Sequence, residues 1–161
     1  MLHISQGEEE YQLEPYLDYL QRIQTRLPEG ARSFASASWH YDLTHRKCPH
    51  DSWLETVALR ELSQGSRKEI RRLEIVATFL GSFHDGVFDI VYRDVQSYSL
   101  VLPEGKRRNA TVAHGDWLVD EILLTEDGHV SHEISFSERG VWKIVCGDLF
   151  HQWRDTAHSG D

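Results

Sequence analysis

Residues 117–146 read WLVDEILLTEDGHVSHEISFSERGVWKIVC, three strand-like runs separated by two polar turns. Each turn is three residues long and ends in glycine: Glu126-Asp127-Gly128 and Glu138-Arg139-Gly140. A third such turn, His84-Asp85-Gly86, lies earlier in the chain. This pattern is typical of a type I turn closed by a left-handed glycine, which forms a G1-bulge hairpin. The stretch therefore predicts a three-stranded antiparallel meander over residues 117–125, 129–136 and 141–145.

The turn type also predicts the register of the meander, because a hairpin loop fixes which residues face one another. Across the first turn, Ile122 is expected opposite His132, and Asp120 opposite Ile134. Across the second turn, His132 is expected opposite Cys146. The other expected pairs are Leu124 with Val130, Leu118 with Phe136, Phe136 with Trp142, and Ile134 with Ile144. The core side of the meander is predicted to carry Leu118, Ile122, Leu124, Val130, Ile134, Phe136, Trp142 and Ile144.

The same register places Asp120, His132 and Cys146 on the apolar side, within cross-strand reach of one another. Such a trio could form a thiolate–imidazolium pair oriented by a carboxylate, or contribute to a metal site. The alternative is packing, with a hydrogen-bonded histidine and a cysteine that acts as a small apolar residue. Packing is favoured, because Cys146 lies late in a strand and not at a helix N-terminus, where the thiol pKa is lowered.

A second polar cluster comprises His40, His45, Cys48, His50 and Asp51. Zinc binds cysteine and histidine, and the Cys-x-His spacing is geometrically possible. No paired Cys-x-x-Cys or His-x-x-x-His frame accompanies it, so a histidine-rich polar loop is the favoured interpretation. No cofactor is predicted, and a transition metal such as zinc is the alternative.

Outside the meander the chain predicts one helix and further strands. Apolar residues recur at helical spacing over residues 13–27, with Pro15 in the first turn and Pro28 after the end, which indicates an amphipathic helix. Residues 31–38 fit either a short helical turn or the lead into a strand. Further strands are expected at 39–43, 53–62, 70–82, 87–95 and 98–102, with an edge strand at 150–153.

These elements predict an α+β fold in a single domain covering residues 1–161. One N-terminal helix is expected to pack on a long, twisted antiparallel meander of seven or eight strands over about residues 39–153, because short connections require antiparallel pairing. Long sheets tend to curl or close to limit exposed edges, so a partial barrel is the alternative to an open sheet. The tail after Arg154 is expected to be frayed.

Composition limits the function classes. The 161 residues carry a formal net charge of -9, from 26 acidic and 17 basic residues, which disfavours a general nucleic-acid binder. The basic clusters at 67–72 and 106–108 are expected to be solvated. The sequence contains no run of about 18 apolar residues, which predicts no membrane span. Two distant cysteines and the absence of an apolar leader in the first ten residues predict a cytoplasmic protein.

Three segments carry a resemblance to known proteins: Trp39-His40-Tyr41-Asp42, Cys48-Pro49-His50-Asp51-Ser52-Trp53 and His114-Gly115-Asp116-Trp117-Leu118. They are similar to segments of small uncharacterised bacterial proteins, and the similarity extends over about residues 34–153. The resemblance implies a cytoplasmic bacterial protein and no particular activity. Size and acidity are also similar to those of toxin-neutralising immunity proteins, an analogy that does not give function.

The sequence lacks a phosphate loop, a dinucleotide fingerprint and a Gly-x-Ser-x-Gly elbow. The leading prediction is therefore a non-enzymatic binding protein, with a protein partner or a small ligand held on the concave face or mouth of the sheet. A metal-assisted or Cys-His hydrolase is the first alternative, using His132, Cys146 and Asp120, or His40, His50 and Cys48. The second alternative is a structural, homo-oligomeric protein that pairs through the edge strand at 150–153.

Overall fold

A computed structural model describes residues 3–6, 11–105 and 111–156. The N-terminal elements are β1 (Ser5–Gln6), β2 (Tyr11–Gln12), α1 (Glu14–Ile23), a 3-10 turn (Gln24–Arg26) and α2 (Glu29–Ala35). Eight strands follow: β3 (Trp53–Gln64), β4 (Ile70–Leu80), β5 (Gly86–Arg93), β6 (Ser97–Val101), β7 (Trp117–Leu124), β8 (Val130–Phe136), β9 (Val141–Cys146) and β10 (Asp148–Asp155). None of the described helices is long and apolar enough to cross a lipid bilayer.

The eight strands form two antiparallel sheets. The first sheet has the order β10-β5-β4-β3 and the second the order β6-β9-β8-β7. The α+β class is therefore confirmed, whereas the prediction of one long meander is wrong. The sheets do not close into a barrel; a single bridge between Trp53 and Asp116 links β3 to the residue before β7.

The chain passes between the sheets twice at one corner, which is why a continuous meander does not form. β5 ends at Arg93, and the next residue, Asp94, has a φ of 52° and turns the backbone toward β6. β9 continues into β10 through Gly147, whose N–H donates to the Arg93 carbonyl at 2.9 Å. The Gln96 N–H donates to the Val145 carbonyl at 2.8 Å and joins the two crossings.

The core lies between the two sheets and is rich in aromatic side chains. Phe79 of β4 stacks on Phe88 of β5 at 5.4 Å and meets Trp117 of β7 edge-on at 4.9 Å. Trp142 of β9 lies 6.2 Å from Phe79. Burial of each such side chain stabilises the fold by about 1.5–3 kcal/mol. Trp117 and Trp142 of the second sheet thus pack against Phe79 of the first sheet in the core between them.

The predicted first hairpin of the meander is confirmed. Leu124 faces Val130, Ile122 faces His132 and Asp120 faces Ile134. Gly128 takes the expected positive φ, 83°. The pairing of Leu118 with Phe136 is wrong, because a bulge at Leu118 leaves Trp117 opposite Phe136.

The predicted register of the second hairpin is wrong by two residues. Ser135 faces Val141, so His132 lies opposite Ile144 and Cys146 opposite Val130. Ile134 accordingly faces Trp142 and not Ile144. A shift of two keeps the faces unchanged, and the predicted core residues Ile122, Val130, Ile134, Phe136, Trp142 and Ile144 are all buried. Leu118 and Leu124 are half-buried.

The cause of the shift is a long-range contact. The N–H of Ser137 donates to the Asp116 carbonyl at 2.9 Å, and that of Glu138 donates to the His114 carbonyl at 3.2 Å. These residues therefore leave the β8–β9 ladder. The turn is closed by Arg139 at φ 66°, and Gly140 does not take the left-handed conformation.

The first of the three glycine turns also departs from the prediction. His84 adopts the left-handed conformation, with φ 56°, and Gly86 does not. A Cβ on Gly86 would lie 2.2 Å from the Trp153 ring. The glycine is needed there for close packing of β10 on β5 and not for its φ.

The helical region differs from its prediction in length. The helix expected over 13–27 is α1 followed by the 3-10 turn, and the ambiguous segment at 31–38 begins inside α2, which ends at Ala35. The strand expected at 39–43 is wrong, because turns occupy these residues: the His40 N–H donates to the Ala37 carbonyl at 3.0 Å. The aromatic residues that suggested a strand pack instead on α2, as Trp39 does on Phe34.

The predicted edge strand at 150–153 is confirmed as part of β10, whose only partner among the described strands is β5. Helix α2 lies against it so closely that a Cβ on Gly30 would sit 2.2 Å from the Leu149 carbonyl oxygen. The Asp148 carboxylate accepts the N–H groups of Gly30 and Ala31 at 3.1 and 2.8 Å. Glycine at position 30 therefore lets α2 cover the start of this edge.

The predicted basic clusters have different outcomes. Arg71 and Arg72 lie on β4 and pair with Glu61 and Asp94, at 3.4 and 2.7 Å. The cluster at 106–108 lies outside the described residues. The tail predicted to fray is described only as far as Thr156.

Candidate functional site

Residues 37–52, called here the turn segment, run from α2 to β3 as a series of tight turns. The backbone bonds that close them run from the N–H groups of His40, Asp42, His45, Cys48 and Ser52 to the carbonyls of Ala37, Trp39, Asp42, His45 and Pro49. Three residues of the turn segment bury a polar side chain or a thiol: His40, Cys48 and Ser52. Pro49 is buried as well, and the other residues of the segment are half-buried or exposed.

The bulge at Leu118 connects β7 to the turn segment. A bulge frees backbone groups from the ladder and redirects side chains. Here the Trp117 carbonyl accepts the Asp51 N–H at 2.9 Å, and the Leu118 carbonyl accepts His50 Nδ1–H at 2.7 Å. The segment is thereby fastened across the start of β7, directly beside Asp120.

Asp120 is the centre of a buried polar cluster. Its carboxylate accepts from His40 Nε2 at 3.0 Å, from His132 Nε2 at 3.0 Å and from Trp117 Nε1 at 3.2 Å. The side chain is 1% exposed. Burial alone would raise the pKa of Asp120, but the charge of His40 and the hydrogen bonds from His132 and His40 hold it well below its ordinary value.

The hydrogen-bond partners define the protonation of His40. His40 Nδ1 lies 2.9 Å from the Phe34 carbonyl, and its Nε2 faces the carboxylate. Both partners only accept, so both ring nitrogens carry protons and His40 is an imidazolium. His132 Nε2 donates to the Asp120 carboxylate, and its Nδ1 shares a hydrogen bond with the Tyr92 hydroxyl at 2.8 Å. His40 and Asp120 therefore form a buried ion pair, and His132 makes a second hydrogen bond to the same carboxylate.

Of the predicted trio, the structure brings Asp120 and His132 into contact, but it does not place Cys146 opposite His132. Cys146 is fully buried, and burial raises its thiol pKa to about 12. A nucleophilic cysteine needs the opposite shift. Cys146 therefore packs as an apolar residue.

A pocket of about 390 Å³ opens between the β1–β2 hairpin, the turn segment and the start of β7. Most of its lining is aliphatic or aromatic, and the lining residues are Tyr11, Leu13, His40, Tyr41, Leu43, Cys48, Pro49, His50, Trp117, Leu118, Val119 and Asp120. The two polar clusters of the sequence therefore meet at one place. His40, Cys48 and His50 come from the turn segment, and Asp120 comes from the meander.

The residues of the second cluster that were metal-ligand candidates have other partners. Cys48 donates its thiol proton to the His40 carbonyl at 3.1 Å, and burial raises its pKa to about 11. His45 Nδ1 accepts the Lys47 N–H at 3.1 Å. Asp51 places its carboxylate 3.4 Å from His50 Nε2. Across residues 3–6, 11–105 and 111–156, no three histidine, cysteine or acidic side chains are arranged to hold a metal ion.

Sequence reasoning missed Tyr92, Trp117 and Tyr41, which complete the cluster. Tyr41 donates its hydroxyl to the Asp120 carbonyl oxygen at 3.0 Å. Tyr92 lies on β5 of the opposite sheet, so only the packing of the two sheets brings it to His132. The nearest sequence signal was the Trp39-His40-Tyr41-Asp42 motif, which contains two of the contacting residues.

Comparisons with protein-family models, with curated proteins and with solved structures give no significant match for this chain. The function is therefore argued from the site alone.

Proposed function

We propose that the protein is a non-enzymatic binding protein whose pocket holds a small, mainly apolar ligand. The supporting observation is the pocket itself. Its volume of about 390 Å³ falls within the range of about 300–1,000 Å³ typical of ligand sites, which are mostly apolar with a few placed polar groups.

The polar contact expected for the ligand is His50 Nε2. Nδ1 is held by the Leu118 carbonyl, so the ring orientation is set. Nε2 lies 3.4 Å from the carboxylate of the exposed Asp51, and the ligand's polar group would replace or share this contact. The ring is only half-buried. A ligand with one hydrogen-bonding group at the end of an apolar body fits this arrangement.

Binding is favoured over hydrolysis because the groups that would react are already engaged. The Cys48 thiol has a raised pKa and donates to a carbonyl. Both nitrogens of His40 donate hydrogen bonds within the protein, so this ring has no lone pair to act as a base. His40 and Asp120 serve as a rigid floor for the pocket.

The proposal is tested with three probes of one shape and different charge: indole, indole-3-acetate and tryptamine. Each is titrated into ¹⁵N-labelled protein while amide shifts are followed. We expect saturable shifts at the pocket residues for at least one probe. Leu43 is 63% exposed at the pocket rim, so Leu43→Ala keeps the fold, and we expect it to weaken binding about tenfold through lost apolar contact.

His50→Gln should also weaken the probe that binds, because it removes the positioned Nε2. Phe83→Ala is the matched control, since Phe83 is equally apolar, 55% exposed and outside the pocket. Failure of all three probes to shift pocket resonances at millimolar concentration contradicts the proposal. Equal weakening by Phe83→Ala contradicts it as well.

A further inference from the structure

The outer edge of β3 is a second candidate interaction surface, separate from the pocket. β3 has twelve residues, and its outer side is bridged only at Trp53, to Asp116, within the described residues. From Glu55 to Gln64 no described strand pairs with that side. Long unpaired edges present a row of backbone donors and acceptors to other chains.

The far half of β3 also projects beyond the rest of its sheet. β4 pairs with β5 only from Ile75 onward, whereas it pairs with β3 from Ile70 onward. The ladder is therefore two-stranded from Arg60 and Glu74 outward, and residues 59–74 are called here the β3–β4 ribbon. It displays apolar side chains, with Leu59, Leu62 and Ile70 exposed at 44, 43 and 48%.

We propose that the β3 edge pairs with the same edge of a second copy of this chain, across a two-fold axis at Leu59. Antiparallel pairing about that axis places Leu59 opposite its own counterpart. Val57 then faces Glu61, and the regular part of the edge begins at Thr56, because a bulge at Glu55 interrupts the ladder of β3 with β4. On the other face Arg60 faces Ala58 and Leu62 faces Thr56. No like charges are opposed, and two exposed leucines meet at the centre.

Neighbouring two-fold registers are less favourable. An axis at Ala58 brings the bulge at Glu55 opposite Glu61, a second carboxylate. Axes at Arg60 or Glu61 set each charge opposite itself, which destabilises a strand pair. An axis at Val57 requires the edge at Trp53, which Asp116 already occupies. The sequence of the strand is thus self-complementary in the register centred on Leu59, which favours a second copy as the partner.

The other sheet edge in the sequence-based proposal is less suited to pairing. α2 covers the start of β10. The β7 edge is also covered, because the Ile122 and Leu124 N–H groups donate to the hydroxyls of Tyr16 and Tyr19. For pairing between copies, the edge of β3 is therefore a better candidate than residues 150–153.

The test begins with sedimentation velocity of the full chain over micromolar to high-micromolar concentration. We expect a monomer–dimer equilibrium that strengthens with added salt, because each copy carries a net charge of -9 and salt screens the repulsion. Leu59→Lys should shift the equilibrium to monomer while circular dichroism stays unchanged. Phe83→Lys should leave it unaltered. The proposal is overturned if the wild-type chain stays monomeric at every concentration. It is also overturned if Leu59→Lys leaves the monomer–dimer equilibrium unchanged.

A cysteine test fixes the register. Residues opposed across an antiparallel pair have Cα atoms about 4.5–5.5 Å apart, which a disulfide can bridge. Under mild oxidation Leu59→Cys should form a disulfide-linked dimer, whereas Glu61→Cys and Phe83→Cys should not. Both native cysteines are buried and stay reduced. Equal cross-linking of all three variants overturns the register, and no cross-linking of Leu59→Cys overturns the edge pairing.

Discussion

Asp120 is the residue on which the interior depends most, because it balances the charge of His40 where water is excluded. Removing one partner of a buried ion pair leaves the other charge without compensation. We expect Asp120→Asn to lower the free energy of unfolding by about 3–5 kcal/mol. Urea denaturation at pH 7 measures this change.

Asp127→Asn is the control for Asp120→Asn, since the Asp127 side chain lies in a turn and is 81% exposed. Its expected effect is within about 0.5 kcal/mol. If the two variants lose similar stability, the charge assignment of the buried cluster is wrong.

His151 gives the protein a specific sensitivity to acid. Burial, followed by the nearby charges of His40 and Lys47, lowers its pKa from 6.5 to about 4. Its Nε2 is buried without a hydrogen-bond partner in the described structure, and its ring stacks on Phe34 at 5.5 Å. The unfolded chain therefore binds a proton between pH 6.5 and 4 that the folded chain excludes. Stability from this residue is complete above pH 6.5 and is lost as the pH falls toward 4.

We expect the free energy of unfolding to fall between pH 7 and 5 by about 1–2 kcal/mol on account of His151. His151→Phe should flatten this part of the profile, because the replacement ring has no proton to gain. His129→Gln, a change at a half-buried loop histidine, should leave the profile as it is. Urea denaturation at several pH values between 7 and 5 measures this dependence. If His151→Phe loses as much stability with falling pH as the wild type, His151 is not the cause of the acid sensitivity.

At the scale of elements, β7 is an edge strand protected by tyrosine hydroxyls. The Tyr16 hydroxyl accepts the Ile122 N–H at 2.8 Å, and Tyr19 accepts the Leu124 N–H at 3.0 Å. We expect Tyr16→Phe to cost about 1–3 kcal/mol, because it leaves a buried donor unpaired. Hydrogen exchange at the Ile122 amide should accelerate.

Tyr98→Phe is the matched control for Tyr16→Phe. Tyr98 also lies in the second sheet, on β6, but it is 48% exposed, so water can replace the hydrogen bonds of its hydroxyl. It should change neither stability nor the Ile122 exchange rate. Equal protection of Ile122 in wild type and Tyr16→Phe would show that the hydroxyl does not protect the edge.

Elements with local causes were predictable, and those with distant causes were not. Gly128 has open space around it and a positive φ, so the turn alone set the register of β7 and β8. The second turn could not be predicted, because Ser137 and Glu138 bind residues 114–116. The same division holds for the candidate site. Asp120 and His132 lie on adjacent strands of one hairpin, whereas His40 reaches Asp120 across 80 positions of the chain.

Across the whole fold, the two sheets and the turn segment enclose the polar cluster around Asp120, and the apolar pocket lies beside it. His40 and Asp120 belong to both, since they are buried and yet line the pocket. The proposed pairing between two copies uses the β3–β4 ribbon, and none of the ribbon's residues lines the pocket.

The central claim, that this pocket holds a small ligand, is tested most directly by isotope-filtered nuclear Overhauser spectroscopy. Labelled protein is saturated with the tightest-binding of the three indole probes, and contacts between probe ring protons and protein methyl groups are recorded. A ligand in this pocket should give contacts to the methyl groups of both Leu43 and Leu118, which line the pocket from the turn segment and from β7. Contacts confined to Leu59 and Leu62 on the ribbon, or no contact to either pocket leucine, would contradict it.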